Sequence, residues 1–231
     1  MQRTQDIQVG DALFDRAFVI KGYHPDGVRH RLTDDARADL LELLRFRSTA
    51  EDGAFRSLKD YVADMKENQT AIYYVTGEKA DQIANSPQIE GYRARGLEVL
   101  LLTDPVDEWM IGSITEFEGK KLQSVARGEL DLDSDEDEAP EALPEALTGW
   151  LGELLDDQVK EVRSSSRLKS SASVLVDDEH GMGANMERIL RKAQQDVPTS
   201  QRILEVNPNH PLVKALGTLR DNQRPEADVL G

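Results

Sequence analysis

The sequence predicts an α/β to α+β protein, with a small three-layer α/β/α module followed by a mixed α/β module. Three observations carry this. Two short apolar runs, at 71–76 and 98–103, are separated by a segment with helical spacing; that is a βαβ unit and implies a parallel sheet. A strongly acidic stretch then divides the chain. Behind it the pattern reads helix, strands, helix, strand, helix.

The first part, residues 1–130, is read as a helical lead-in (1–39) and the α/β/α module itself (40–130). Residues 1–30 scatter Leu13, Phe14, Phe18, Val19 and Ile20 without a clear period. Thr33 is placed to cap a helix with Asp34 and Asp35 in its first turn, where carboxylates favour the dipole. Leu40, Leu41, Leu43, Leu44 and Phe46 supply the apolar side of that helix. Ser57 and Asp60 have the spacing of a capping box, and Leu58, Tyr61, Val62 and Met65 follow at helical intervals. The run AIYYVT (71–76) is β-branched and aromatic, as a strand prefers. Residues 78–95 read as helix interrupted at Ser86-Pro87, and Gly96 stands where a C-terminal cap glycine belongs. Glu98–Thr103 is the second strand. Asp104 at the N-cap and Pro105 at the first helical position then open another helix, with Asp107 and Glu108 in its first turn. Val106, Met110, Ser113 and Phe117 form one face of it; Trp109 lies at the edge of that stripe and Ile111 off it. Trp109 reads either as half-buried core or as a contact residue on a shoulder between the two modules.

Residues 131–142 are read as an acidic linker. The stretch DLDSDEDEAPEALPEA (131–146) has two prolines, eight acids and no aromatic residue, too little apolar area to offset chain entropy. Its alternating carboxylates lack the glycine and terminal glutamate of an EF-hand loop. In the second part, residues 143–231, Leu147, Trp150, Leu151, Leu154 and Leu155 make one helix side. Val162, Ser164, Ser166 and Leu168 alternate as in a strand with one wet face. A strand at 172–176 follows. Residues 182–196 then place Met182, Met186, Ile189, Leu190 and Ala193 on one face, spaced as a full amphipathic stripe. That stripe either packs into a core or faces outward, where flexible methionine suits varied apolar partners. The segment 201–206 reads as a strand, NPNHP (207–211) breaks it, and 212–219 is a short helix.

Bulk properties exclude several functions. The formal charge of −16 argues against a general nucleic-acid binder. Most of it is local: Gly128–Val159 holds twelve acids and no lysine or arginine, and setting those twelve aside leaves −4. No apolar run approaches the length of a membrane span, so no membrane partner is expected. The first ten residues lack the apolar core of a secretory signal, and there is no cysteine for a disulfide or thiolate site. A cytoplasmic protein fits this composition. The four histidines, His24, His30, His180 and His210, have no metal-ligand spacing. Thr76-Gly-Glu-Lys79 follows a strand but lacks the phosphate-loop spacing, and neither GxGxxG nor GxSxG occurs. An enzyme reading survives only as a small α/β protein that uses the Asp104–Glu108 carboxylates on a metal or sugar substrate.

Four segments together resemble the heat-shock protein 90 chaperones, in particular the bacterial form: LLELLRFRST (40–49), SLKDYVADMKENQTAIYYVTGE (57–78), GLEVLLLTDPVDEWM (96–110) and LEVNPNHPLVKAL (204–216). Order and spacing agree from about Phe14 to Leu216. The resemblance implies the C-terminal part of a middle domain followed by most of a C-terminal domain. It implies an ATP-dependent parent, which uses ATP and magnesium in a domain that nothing here resembles, so no cofactor is expected in this chain. It also implies a stress-response chaperone that holds unfolded client proteins on apolar surface. Two such surfaces map here: Glu108 and Trp109, and the stripe of Met182, Met186, Ile189 and Leu190. Gly112-Ser113 stands where bacterial relatives often carry Asn-Tyr, which weakens the first surface. Family members form homodimers through further helices that have no counterpart in the tail GTLRDNQRPEADVLG, so a monomer is expected. Residues 1–12 match nothing in the family.

Overall fold

The structure is a computed structural model and describes residues 41–50, 55–128, 142–195 and 197–223. The lead-in at 1–39, the expected Thr33 cap, nearly all of the acidic linker and the last residues of the tail lie outside the described residues.

The first sheet has six strands: β1 (Phe46–Ser48), β2 (Phe55–Arg56), β3 (Ala71–Thr76), β4 (Leu100–Leu102), β5 (Glu116–Phe117) and β6 (Lys120–Ser124), in the order β2-β1-β4-β3-β6-β5. β3 lies in the middle and runs parallel to both β4 and β6, with Tyr74 opposite Leu100 on one side and Ser124 on the other. The outer pairings, β1 with β2 and β4, and β5 with β6, are antiparallel. A central parallel strand is covered on both faces, so it reads as one apolar run. Its alternate residues enter two separate cores. Ile72 and Tyr74, with Leu100 and Leu102, pack under α1 (Leu58–Ala63) and α4 (Pro105–Ile111). Tyr73 and Val75, with Val99 and Leu101, pack under α2 (Ala80–Ala84) and α3 (Glu90–Ala94). These are the three expected layers.

Local signals account for the helix ends. Ser57 and Asp60 form the capping box of α1. Ser86 caps a 3₁₀ turn, Pro87–Ile89, which separates α2 from α3. Gly96 closes α3 at φ +62°, a conformation costly for any residue with a Cβ. Tyr61 ties the layer together from α1. Its hydroxyl donates to the Glu98 carbonyl at 2.7 Å and accepts from the Gln69 amide and the Tyr73 N–H.

Three expectations need correction. Phe46 is not on a helix: the helical turn at 41–43 ends and Phe46 opens β1, buried beside Leu44. The helix from Asp104 does not reach Phe117: it stops at Ile111, and Phe117 belongs to β5. The strand β6 was not visible as a separate element, because KKLQS is half polar and only its Leu122 contributes to the apolar core.

The second sheet has the order β7-β9-β8, from β7 (Val159–Ser164), β8 (Ser173–Val176) and β9 (Arg202–Val206). β9 is parallel to β7 and antiparallel to β8. Val162 and Val206 pack with Leu143, Leu147 and Val213 under α5 (Glu145–Leu155) and α7 (Pro211–Gln223). β7 ends at Ser164, so Leu168 is buried in the following loop rather than in a strand. α7 runs beyond the expected Leu219.

The other side of this sheet is charged and meets the first sheet. Arg167 is wholly buried. Its Nε donates to Glu205 Oε2 at 2.7 Å, and its two terminal nitrogens reach the Val125 and Gly128 carbonyls at the end of β6. Glu205 also accepts from Arg163 and from Ser165 Oγ. An isolated bridge between Arg127 and Asp177 joins the ends of β6 and β8.

Candidate functional site

The candidate site begins at the start of α4. Asp104 sits at the N-cap and accepts from the Val106 N–H; Asp107 reaches back to the Asp104 N–H at 3.0 Å. Both carboxylates are therefore engaged in starting the helix, which is what the helix-start reading of the acidic run requires. Glu108 turns elsewhere and accepts from Asn185 Nδ2 at 2.9 Å. Asp104 and Asp107 are thus committed to the helix start and Glu108 to Asn185. Among the described residues, no group of three or more His, Asp or Glu side chains is arranged to hold a metal ion.

Asp107 is buried, and burial pushes its carboxyl up to about 7; the neighbouring Asp104 and Glu108 add to the rise, against hydrogen bonds from the Asp104 and Thr103 backbone. The folded chain therefore binds a proton that the unfolded chain has released, over the window between its ordinary value of 3.8 and about 7. This contribution to stability is complete below that window and is lost as pH rises through it. Asp107→Asn should remove the loss while keeping a capping oxygen. The variant's melting temperature should gain on wild type as pH rises from 4 to 7; a constant difference across that range would contradict the assignment.

α6 (Ala184–Lys192) lies beside α4. Its N-terminus is held by Asp177, whose two oxygens accept from the Ala184 N–H. The one wholly buried residue of α6 is Glu187, paired with Arg202 and Arg191. Charge, not apolar packing, thus fixes this helix to the second sheet. A polar chain then runs from Glu108 through Asn185 and Arg188 to Glu78, which also pairs with Lys192 at 2.8 Å.

The apolar stripe of α6 is left over. Met182 is 37% exposed and precedes the helix, because Gly183 forms the cap. Met186, Ile189 and Leu190 are half-buried. None of the four belongs to an apolar core among the described residues. Met182 and Met186 line a groove of about 1140 Å³ between the two sheets, together with Ile111, Ile114 and Leu122. Glu108 also lines it. Trp109, 42% exposed, is not part of the lining; neither are Ile189 and Leu190. The structure therefore brings Glu108, Met182 and Met186 to one groove, and leaves Trp109, Ile189 and Leu190 outside its lining. Sequence reasoning missed Ile111 and Leu122, since one lay off the expected stripe and the other in an unrecognised strand. Among the described residues, no helix is long and apolar enough to cross a membrane.

Comparison with known proteins places the sequence in a family. The sequence profile of the Hsp90 protein family matches residues 27–229. The chain is similar to the chaperone protein HtpG of Nocardia farcinica (strain IFM 10152), 46% identical over 202 residues, which is 84% of this chain and 31% of that protein. It is likewise similar to the HtpG of Rhodococcus jostii (strain RHA1), 45% identical over 205 residues, 85% of this chain and 32% of that protein. For the HtpG of Geobacter metallireducens (strain ATCC 53774 / DSM 7210 / GS-15) the identity is 48% over 200 residues, 82% of this chain and 31% of that protein. The chain spans about a third of the length of the curated relatives it matches. With a family match over nearly all of its residues, the chain belongs to the Hsp90 family.

Proposed function

We propose that this chain is the client-contacting and architectural part of an ATP-dependent chaperone. It binds unfolded or partly folded polypeptides through weak apolar contacts, and its own residues hold no ATPase site. One observation carries the reading: α6 is anchored by the buried Glu187, while its apolar side, from Met182 to Leu190, enters none of the described cores. Exposed apolar area costs ~25 cal/mol per Å², so a protein keeps a patch of it chiefly where something binds. Methionine suits clients of varied shape, because its side chain adapts to them. The names of the relatives, all chaperone proteins, support the same class.

The purified chain should slow aggregation of a protein diluted out of denaturant, and should do so without nucleotide. It should not turn over ATP, since neither a phosphate-loop spacing nor a GxGxxG occurs in it. Undiminished aggregation at tenfold molar excess would contradict client binding. Steady ATP turnover abolished by a substitution within the chain would contradict the second part.

A further inference from the structure

The loop between β7 and β8 holds a complete carboxylate, that of Glu90 at the start of α3, the helix packed on the first sheet. The consecutive N–H groups of Lys169, Ser170 and Ser171 donate to Glu90 Oε2 at 2.8, 2.9 and 3.2 Å. The Ser170 and Ser171 hydroxyls donate to Oε1 at 3.1 and 2.5 Å. Both oxygens are thus bound, by five donors from three adjacent residues. Successive N–H groups converging on one point form an anion-binding nest, and such nests capture carboxylates in peptide recognition. Burial alone would raise the Glu90 carboxyl, but these hydrogen bonds outweigh it and hold the group at about 2.

The nest is fastened from behind by contacts that do not involve Glu90. Arg167 is clamped on Glu205, and Ser165 Oγ accepts from the Arg167 and Leu168 N–H groups. Asn207 Nδ2 donates to the Ser171 carbonyl, and its backbone N–H donates to that of Ala172. These contacts lie within the second sheet and its loops, so the donors keep their directions when Glu90 withdraws. Ser170 is exposed at the rim, which leaves the pocket open to solvent.

We propose that residues 169–171 form a carboxylate-binding site that Glu90 fills as a tethered ligand and that the carboxylate of another polypeptide occupies when Glu90 is displaced. Occupation by an outside carboxylate then releases a fastening between the two sheets. The ligand class follows from the donor layout, three on one oxygen and two on the other, which matches a planar carboxylate.

The test uses the full chain with ¹⁵N labelling and titrates sodium acetate against sodium chloride at matched ionic strength. In Glu90→Ala the Lys169, Ser170 and Ser171 amides should show saturable shifts, with acetate at least tenfold tighter than in wild type, where Glu90 competes. Adding Ser170→Ala and Ser171→Ala should weaken that binding at least tenfold. Glu90→Gln, which keeps the side-chain volume, should bind acetate more weakly than Glu90→Ala but more tightly than wild type. Absence of saturable shifts in both Glu90 variants, equal shifts in wild type and Glu90→Ala, or loss of the native spectrum in both variants would each overturn the proposal. A parallel titration with inorganic phosphate separates the ligand classes: tighter binding of phosphate than of acetate would overturn the carboxylate assignment.

Discussion

Arg167→Ala is expected to cost on the order of 3–5 kcal/mol of folding stability, the range for removing one partner of a buried ion pair. Glu205 would keep Arg163 and Ser165 but lose the guanidinium that meets both of its oxygens. The Val125 and Gly128 carbonyls would also lose their Arg167 donors. Lysine cannot replace the fork that reaches two carbonyls and a carboxylate at once, so Arg167→Lys should recover only part of the loss. The damage falls on the seam between the sheets, because Val125 and Gly128 belong to the end of the first and Glu205 to the second. Urea denaturation followed by the two tryptophans, Trp109 in the first part and Trp150 in the second, measures this directly. A single lowered midpoint, or two separated transitions, is the expected result; a change below about 1 kcal/mol would show that the pair is dispensable.

The second large effect is on binding. Met182→Ser with Met186→Ser should leave stability within about 1 kcal/mol of wild type, because neither side chain fills a core. Were they core residues, each truncation would cost on the order of 2–5 kcal/mol. Client affinity should fall much further. Burying a methionine fully contributes about 1.5–3 kcal/mol, and these two are already partly covered, so about 1 kcal/mol each is at stake. Together that corresponds to a loss of roughly thirtyfold in affinity. Suppression of aggregation should fall in proportion. Unfolding of the second sheet by this double substitution would mean that the stripe is structural. Intact fold with intact suppression would transfer the role to Trp109.

The sequence exposed those features whose physics is local. Asp104-Pro105, the Ser57–Asp60 box and the Ser86-Pro87 break each specify a helix end within four residues, and each stands where it was read. The central βαβ unit was equally plain, since β3 and β4 are apolar but for Thr76. The short outer strands β1, β2 and β5 were not legible. Phe46 and Phe117 were assigned to neighbouring helices because so short a strand has no period of its own. Long-range charge was invisible for a different reason. Glu205 finds Arg167 across 38 residues and Glu90 finds its nest across about 80, and no local pattern encodes either meeting. The amphipathic stripe of α6 could be read as a pattern, but not which way it faced. That depended on Glu187, whose partner Arg202 lies on another element.

The central claim is that the stripe of α6 meets unfolded polypeptide, and methionine methyl NMR tests it most directly. The chain has five methionines: Met1, Met65, Met110, Met182 and Met186. Met110 is buried in the first sheet's core and Met65 packs against the same core, so both serve as internal controls. With ¹³C-methyl methionine and a permanently unfolded polypeptide added in steps, the Met182 and Met186 signals should shift and broaden while those of Met65 and Met110 stay fixed. Unmoved Met182 and Met186 signals under conditions where the chain demonstrably suppresses aggregation would contradict the account.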